Sequence, residues 1–173
     1  MTRIALFSDT HGYFDDRIAH HLRDADEIWH AGDFGSSELI LALAGLAPVF
    51  RGVYGNIDGA DIRCTEPLVQ NFVVEGLRVL MTHVGGYPGH YAPAARQLLA
   101  QVRPGLFVCG HSHILRIIPD PKLNLLVLNP GAAGRHGFHQ VRTMLRFGID
   151  RGKVVDMQAV ELGARTAALD VGT

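Results

Sequence analysis

Apolar residues come in short blocks along this chain, and each block stops at a small polar turn. Ile4-Ala5-Leu6-Phe7-Ser8, Glu27-Ile28-Trp29-His30-Ala31, Val49 to Tyr54, Leu77 to Met81 and Leu106 to Cys109 are the clearest. Runs this short and this apolar predict buried strands. Between them the period lengthens. Arg17 to Arg23 sets Ile18, Ala19 and Leu22 on one helical face, and Ser36 or Ser37 caps a helix from Glu38 to Leu46. Pro93 opens another helix, with Ala94, Ala95, Leu98, Leu99 and Val102 on one side. Asn71 to Glu75 and Leu77 to Met81 form a hairpin about Gly76. After Cys109 the helices stop: Leu123 to Leu128, Met144 to Ile149 and Val154 to Leu162 predict strands, the last two joined through Arg151-Gly152. One domain over residues 1–162 is expected, with Gly163 to Thr173 as a flexible tail.

Five of the predicted strands end in residues that bind metals. The first is followed by Asp9 and His11, the second by Asp33, the third by Asn56, the Leu77 strand by His83, and the Leu106 strand by His111 and His113. Residues i and i+2 of an extended segment point the same way, so His111 and His113 can face one site. Steps of 24, 23, 27 and 28 residues separate Asp9, Asp33, Asn56, His83 and His111. Such steps suit a strand, its connection and the next strand. Parallel strands of an α/β fold bring their carboxyl ends to one edge, which would gather all seven residues.

Composition narrows the partners. Sixteen Lys and Arg against 17 Asp and Glu give a net charge of -1, so no broad attraction for nucleic acid or acidic lipid is expected. The longest apolar run, Leu39 to Phe50, is interrupted by Gly45 and Pro48 and falls well short of a membrane span, and Ile4 to Phe7 is too short for a signal-peptide core. Two cysteines, Cys64 and Cys109, make no disulfide framework and favour a reducing cytoplasm.

Two Asp, four His and one Asn are too many donors for one four-coordinate structural zinc. They suit two metals sharing a carboxylate, with Asp33 as the natural bridge. Such a centre keeps net positive charge for an anionic phosphate, and a hydroxide between its ions would be a nucleophile at neutral pH.

Asp9-x-His11, Gly32-Asp33, Gly55-Asn56-x-Asp58, Thr82-His83 and Gly110-His111-x-His113 resemble the five blocks of the calcineurin-like metallophosphoesterases. The length and the Asn129-Pro130-Gly131 segment are most similar to the small prokaryotic phosphodiesterases of the YfcE type, and the resemblance spans residues 4–150. It implies an α/β, four-layer αββα sandwich of the metallo-dependent phosphatase type with the site at the strand ends. It also implies that Asp9, His11, Asp33 and His113 hold one metal and that Asp33, Asn56, His83 and His111 hold the other, with Asn56 also touching phosphate as a catalytic residue. Two divalent ions per subunit are expected, manganese first, with nickel, cobalt, iron, zinc or magnesium as alternatives. The expected partner is a small-molecule phosphoester, and homo-oligomer formation is left open. The same fold includes a retromer subunit that serves as a protein scaffold, the alternative function; the intact ligand set favours the enzyme.

One position departs from larger members of the superfamily. Many of them carry a His directly after the Gly-Asn pair, and here that residue is Ile57, which cannot protonate a leaving group; the small prokaryotic group often lacks that His too, so the departure fits the resemblance. Other residues carry blander expectations. His20 and His21 read as surface residues, His30 as a packed strand residue, and His90 as part of a surface loop. Asp58 either meets a ligand or caps a turn. Arg135, in the loop from Gly131 to Gly137, is a candidate for binding a substrate oxygen because guanidinium matches phosphate geometry.

Overall fold

The structure, a computed structural model, describes residues 1–166. Its elements run β1 (Thr2–Phe7), α1 (Asp16–Leu22), β2 (Glu27–His30), α2 (Ser37–Ala44), β3 (Val49–Gly52), α3 (Ala60–Thr65), β4 (Val69–Val74), β5 (Leu77–Thr82), α4 (Pro93–Val102), β6 (Leu106–Val108), β7 (Leu115–Asp120), β8 (Leu125–Pro130), β9 (Val141–Asp150) and β10 (Lys153–Ala164). They form two five-stranded sheets, ordered β10-β9-β1-β2-β3 and β4-β5-β6-β8-β7.

Alternate side chains of β1 enter different cores. Ile4 and Leu6 pack between the two sheets with Trp29, Val79, Met81, Leu106, Val108, Leu128 and Phe147. Ala5 and Phe7 face the other way, onto Ile18 and Leu22 of α1 and Leu39, Ile40 and Leu43 of α2. On the far side of the second sheet, Leu80, Phe107 and Val127 pack with Ala95 and Leu99 of α4. The order of layers is therefore helices, sheet, sheet, helix, the αββα sandwich that the resemblance implies. Strands with both faces covered must be apolar at every position, which is why they read as continuous apolar runs.

β1, β2 and β3 are mutually parallel, as are β5, β6 and β8. The carboxyl ends of β1, β2, β3, β5 and β6 thus deliver the predicted ligands. The hairpin turns hold as read: Glu75-Gly76 and Arg151-Gly152 both take positive φ at each residue, the geometry that matches strand twist. Gly163 and Ala164, expected in the tail, complete β10; residues 167–173 lie outside the described residues. Cys64 and Cys109 are free thiols, and burial pushes the Cys109 thiol up to about 12, which keeps it inert. No helix among the described residues is long and apolar enough to cross a membrane.

Candidate metal centre

Asp9, His11 and His113 place one ligand atom each within 4.8 Å of one another, and so do Asp33, His83 and His111. The first sheet supplies both aspartates, His11 and Asn56, and the second supplies His83, His111 and His113, so the site straddles the adjoining sheet ends. Asp33 spans the two groups. Its Oδ2 lies 3.6 Å from His11 Nε2, and its Oδ1 lies 3.3 Å from His83 Nε2.

Carboxylate, amide and imidazole atoms converge at the centre. His83 Nδ1 donates to the Ala31 carbonyl at 2.7 Å, which leaves a lone pair on Nε2 when the ring is neutral. That lone pair meets Asn56 Oδ1 at 3.1 Å as well as Asp33 Oδ1. Asn56 Oδ1 also lies 2.9 Å from His111 Nδ1. In the other group, Asp9 Oδ1 and His11 Nε2 are buried without a hydrogen-bond partner, and His113 Nε2 sits 3.1 Å from that Asp9 oxygen. Buried polar atoms are normally satisfied. Two partnerless buried atoms, Asp9 Oδ1 and His11 Nε2, amid converging carboxylate, amide and imidazole groups fit a cation, and imidazole and carboxylate ligands suit borderline divalent ions.

Charge follows the same geometry. Burial would push the Asp33 carboxyl up, but the hydrogen bond and charge of His83, the Ile57 N–H at 3.1 Å and His11 hold it below the usual range. Burial would push His83 down, and Asp33, Asp9 and the Ala31 carbonyl together raise it instead. Burial dominates at His11 and lowers it, against the pull of Asp33 and Asp9.

A second layer of contacts aims these ligands, as is usual around metal sites. Ser8 Oγ and the His111 N–H both bind Asp9 Oδ2, leaving Oδ1 to face the site. The Asn129 amide donates to the Gly110 carbonyl at 2.7 Å and to Ser112 Oγ, and its oxygen accepts from the Gly131 N–H, which clamps the loop carrying His111 and His113. Asp58 caps a turn rather than pointing at a ligand: it accepts from the N–H groups of Phe34, Gly35 and Gly55, tying the Asp33 loop to the Asn56 loop. Gly55 must be glycine, because a Cβ there would strike the Asp33 carboxylate.

The backbone at the site is unusual. Asp9, His11, Asp33, His111 and His113 take φ of 53°, 47°, 58°, 68° and 57°, the left-handed region that non-glycine residues rarely enter.

The remaining candidates separate cleanly. His30 is fully buried, stacked on Phe34 with ring centroids 3.8 Å apart and bonded to Thr10 Oγ1 at 3.0 Å; it packs under the site and holds its loops. His20 is exposed and His21 half-buried on α1. His90 is exposed, with its ring 4.9 Å from that of Tyr87. Arg135 lays its guanidinium over the Tyr13 ring at 4.7 Å and is not among the residues lining the cleft. That cleft, about 540 Å³, runs over His11, Asp33, Asn56, His111 and His113 and is walled by Ile57, Ile114 and the loop from His136 to His139. Ile57 and Ile114 directly follow Asn56 and His113 in the sequence, whereas the loop from His136 to His139 adjoins none of the seven and is brought to the cleft by the fold.

A family model described as the calcineurin-like phosphoesterase superfamily domain matches residues 2–152. The chain belongs to that superfamily. Membership carries metal-dependent phosphoester hydrolysis, and the ligand groups are where this member would bind metal. A Methanothermobacter thermautotrophicus protein described as a probable metallophosphoesterase is 30% identical over 136 residues, 75% of this chain and 76% of its own. Among solved structures, an archaeal phosphodiesterase has a TM-score of 0.72 at 18% identity, over 92% of this chain and 99% of its own. Vps29 from Entamoeba histolytica, solved in complex with zinc, has a TM-score of 0.71 at 15% identity, over 92% of this chain and 98% of its own. At such identities these two likenesses bear on the fold of this superfamily member.

Proposed function

We propose that the chain hydrolyses a phosphodiester at a pair of divalent cations. The observation that carries this reading is the split Asp33 carboxylate, one oxygen toward His11 and the other toward His83. Asp9, His11, Asp33 and His113 would hold one ion, and Asp33, Asn56, His83 and His111 the other. Bound there, the ions supply Lewis acidity toward phosphoryl oxygen and a water acidic enough to attack at neutral pH. Manganese is the ion we would try first.

The chain's own groups supply position. Asn56 turns its oxygen to the two imidazoles, so its Nδ2 amide is the group left to donate to a phosphate oxygen in the cleft. Ile57, next along the cleft wall, has no proton to give. Among the described residues no Lys or Arg lines the cleft, which favours a singly charged diester over a doubly charged monoester.

The test is to strip the protein with a chelator and reload it with manganese, nickel, cobalt, iron, zinc or magnesium. Bis(4-nitrophenyl) phosphate and 4-nitrophenyl phosphate are then compared as substrates. Activity should rise through two equivalents of metal, and the diester should turn over faster. Full activity at one equivalent would remove the paired centre, and a monoester preference would remove the diesterase. Absence of turnover with every ion would leave the scaffold reading, since the zinc complex of Vps29 is a metal-bearing relative in fold.

A further inference from the structure

The mouth of the cleft is apolar and open. Ile57, Ile114 and Phe138 line it with relative exposures of 46%, 51% and 102%. Exposed apolar side chains scattered singly mean little, but three around one cleft mark a surface that meets something.

Their placement is set by the metal ligands themselves. Ile57 follows Asn56, and its N–H donates to Asp33 Oδ1. Ile114 follows His113, and its N–H donates to Ser112 Oγ at 3.3 Å. Phe138 follows Gly137, whose φ of 122° and approach to the His113 ring leave no room for a Cβ. The backbone of all three is therefore anchored at or beside the candidate ligands. On the same loop, the His136 ring lies 4.7 Å from that of His11 and the His139 ring 5.2 Å from that of His113, which keeps the segment carrying Phe138 beside the site. Among the described residues no Lys or Arg enters the collar to meet a sugar phosphate or polyphosphate.

We infer that Phe138, with Ile57 and Ile114, forms an apolar collar that binds a planar aromatic group on the ester that stays on phosphorus, an aryl ring or a nucleobase. The inference rests on the phosphodiesterase reading and names its substrate class. A flat ring stacks on Phe138 while its edges meet the isoleucines, and every base or aryl ring offers the same π-face. A small alkyl ester would find no comparable contact.

The experiment holds the leaving group constant. Manganese-loaded parent, Phe138→Ala and Phe138→Tyr are assayed on 4-nitrophenyl phosphodiesters whose second ester group is phenyl, thymidinyl or methyl. The ratio of kcat/KM for the phenyl ester to that for the methyl ester should fall about tenfold in Phe138→Ala, an effect of the size stacking gives, and Phe138→Tyr should restore it. The thymidinyl ester separates nucleobase from simple aryl by whether its ratio falls as far. Equal losses on all three esters, or none, would overturn the collar. A parent that sediments as a dimer and a Phe138→Ala variant that sediments as a monomer, with ester ratios unchanged, would assign Phe138 to a second copy instead. Binding of phenylphosphonate against methylphosphonate by calorimetry reads the same preference without turnover. If no ester is hydrolysed the diesterase reading fails, while equal affinity for the two phosphonates would sink the collar on its own.

Discussion

Asp33 Oδ1 lies 3.3 Å from His83 Nε2, and with the ring neutral neither atom has a proton to share, because His83 already spends its Nδ1–H on Ala31. A cation resolves that conflict for both, and the other Asp33 oxygen faces His11. Asp33→Asn keeps the shape but loses the charge and one acceptor. Metal content after desalting should drop from two ions per chain to less than one, read by elemental analysis. Retention of two ions with normal turnover would show that Asp33 does not join the two groups.

Asn56 offers a neutral oxygen among charged and imidazole donors, so removing it need not empty the site. Its amide N–H is a donor in the cleft, where charge would develop on a bound phosphate. Asn56→Ala should cut turnover per bound metal by roughly a hundredfold, typical for loss of one transition-state donor, while metal content falls much less. Unchanged turnover per bound metal would take Asn56 out of contact with phosphate.

Ile57 stands in the cleft wall where a proton donor would serve a departing alkoxide. Without one, rates in the parent should fall steeply as leaving-group pKa rises. Ile57→His should gain roughly tenfold on poor leaving groups and little on activated aryl esters, a cautious share of what general acids contribute. A graded ester series on parent and variant measures both slopes. A flat parent slope would mean that another group already protonates the leaving group, and His136 and His139 line the same cleft.

His30 is neutral in the fold, because burial pushes it down to about 3. In the unfolded chain it titrates near its ordinary value of about 6.5, so below that pH the unfolded state takes up more protons. Stability from this residue is complete above about pH 6.5 and is lost as pH falls toward about 3, at up to ~1.4 kcal/mol per pH unit. With metal chelated, the parent should lose about 1.4 kcal/mol more than His30→Gln between pH 7.5 and 5.5 in urea titrations. Parallel losses would mean that His30 is charged in the folded chain.

That seven chemistry-bearing residues gather at one place was legible because each follows an apolar run, and parallel strands bring such ends to one edge. β7 was not. Leu115, Ile117 and Ile118 suggest a strand, yet Pro119 cannot donate to a ladder, and the segment pairs only as the outer strand beside β8. α3 was equally quiet: it buries one residue, Ile62, and starts at Gly59 without a side-chain cap, so no apolar stripe announces it. Asp58 was ambiguous because its three N–H donors come from two loops, Phe34 and Gly35 on one and Gly55 on the other, whose approach only the assembled sheet creates. Arg135 matched phosphate by chemistry alone, and Tyr13 takes its guanidinium instead.

Left-handed φ at five of the seven ligands sets chemistry against durability. Each costs on the order of 1 kcal/mol that glycine would not. In metal-free protein, His113→Gly should therefore outlast His113→Ala by about 1 kcal/mol in urea, the reverse of the usual order in regular structure. A lineage that gave up hydrolysis would find its most accessible stabilising substitutions at the metal ligands themselves. Exchange of binding for a sturdier backbone would then be downhill at positions where the backbone prefers glycine.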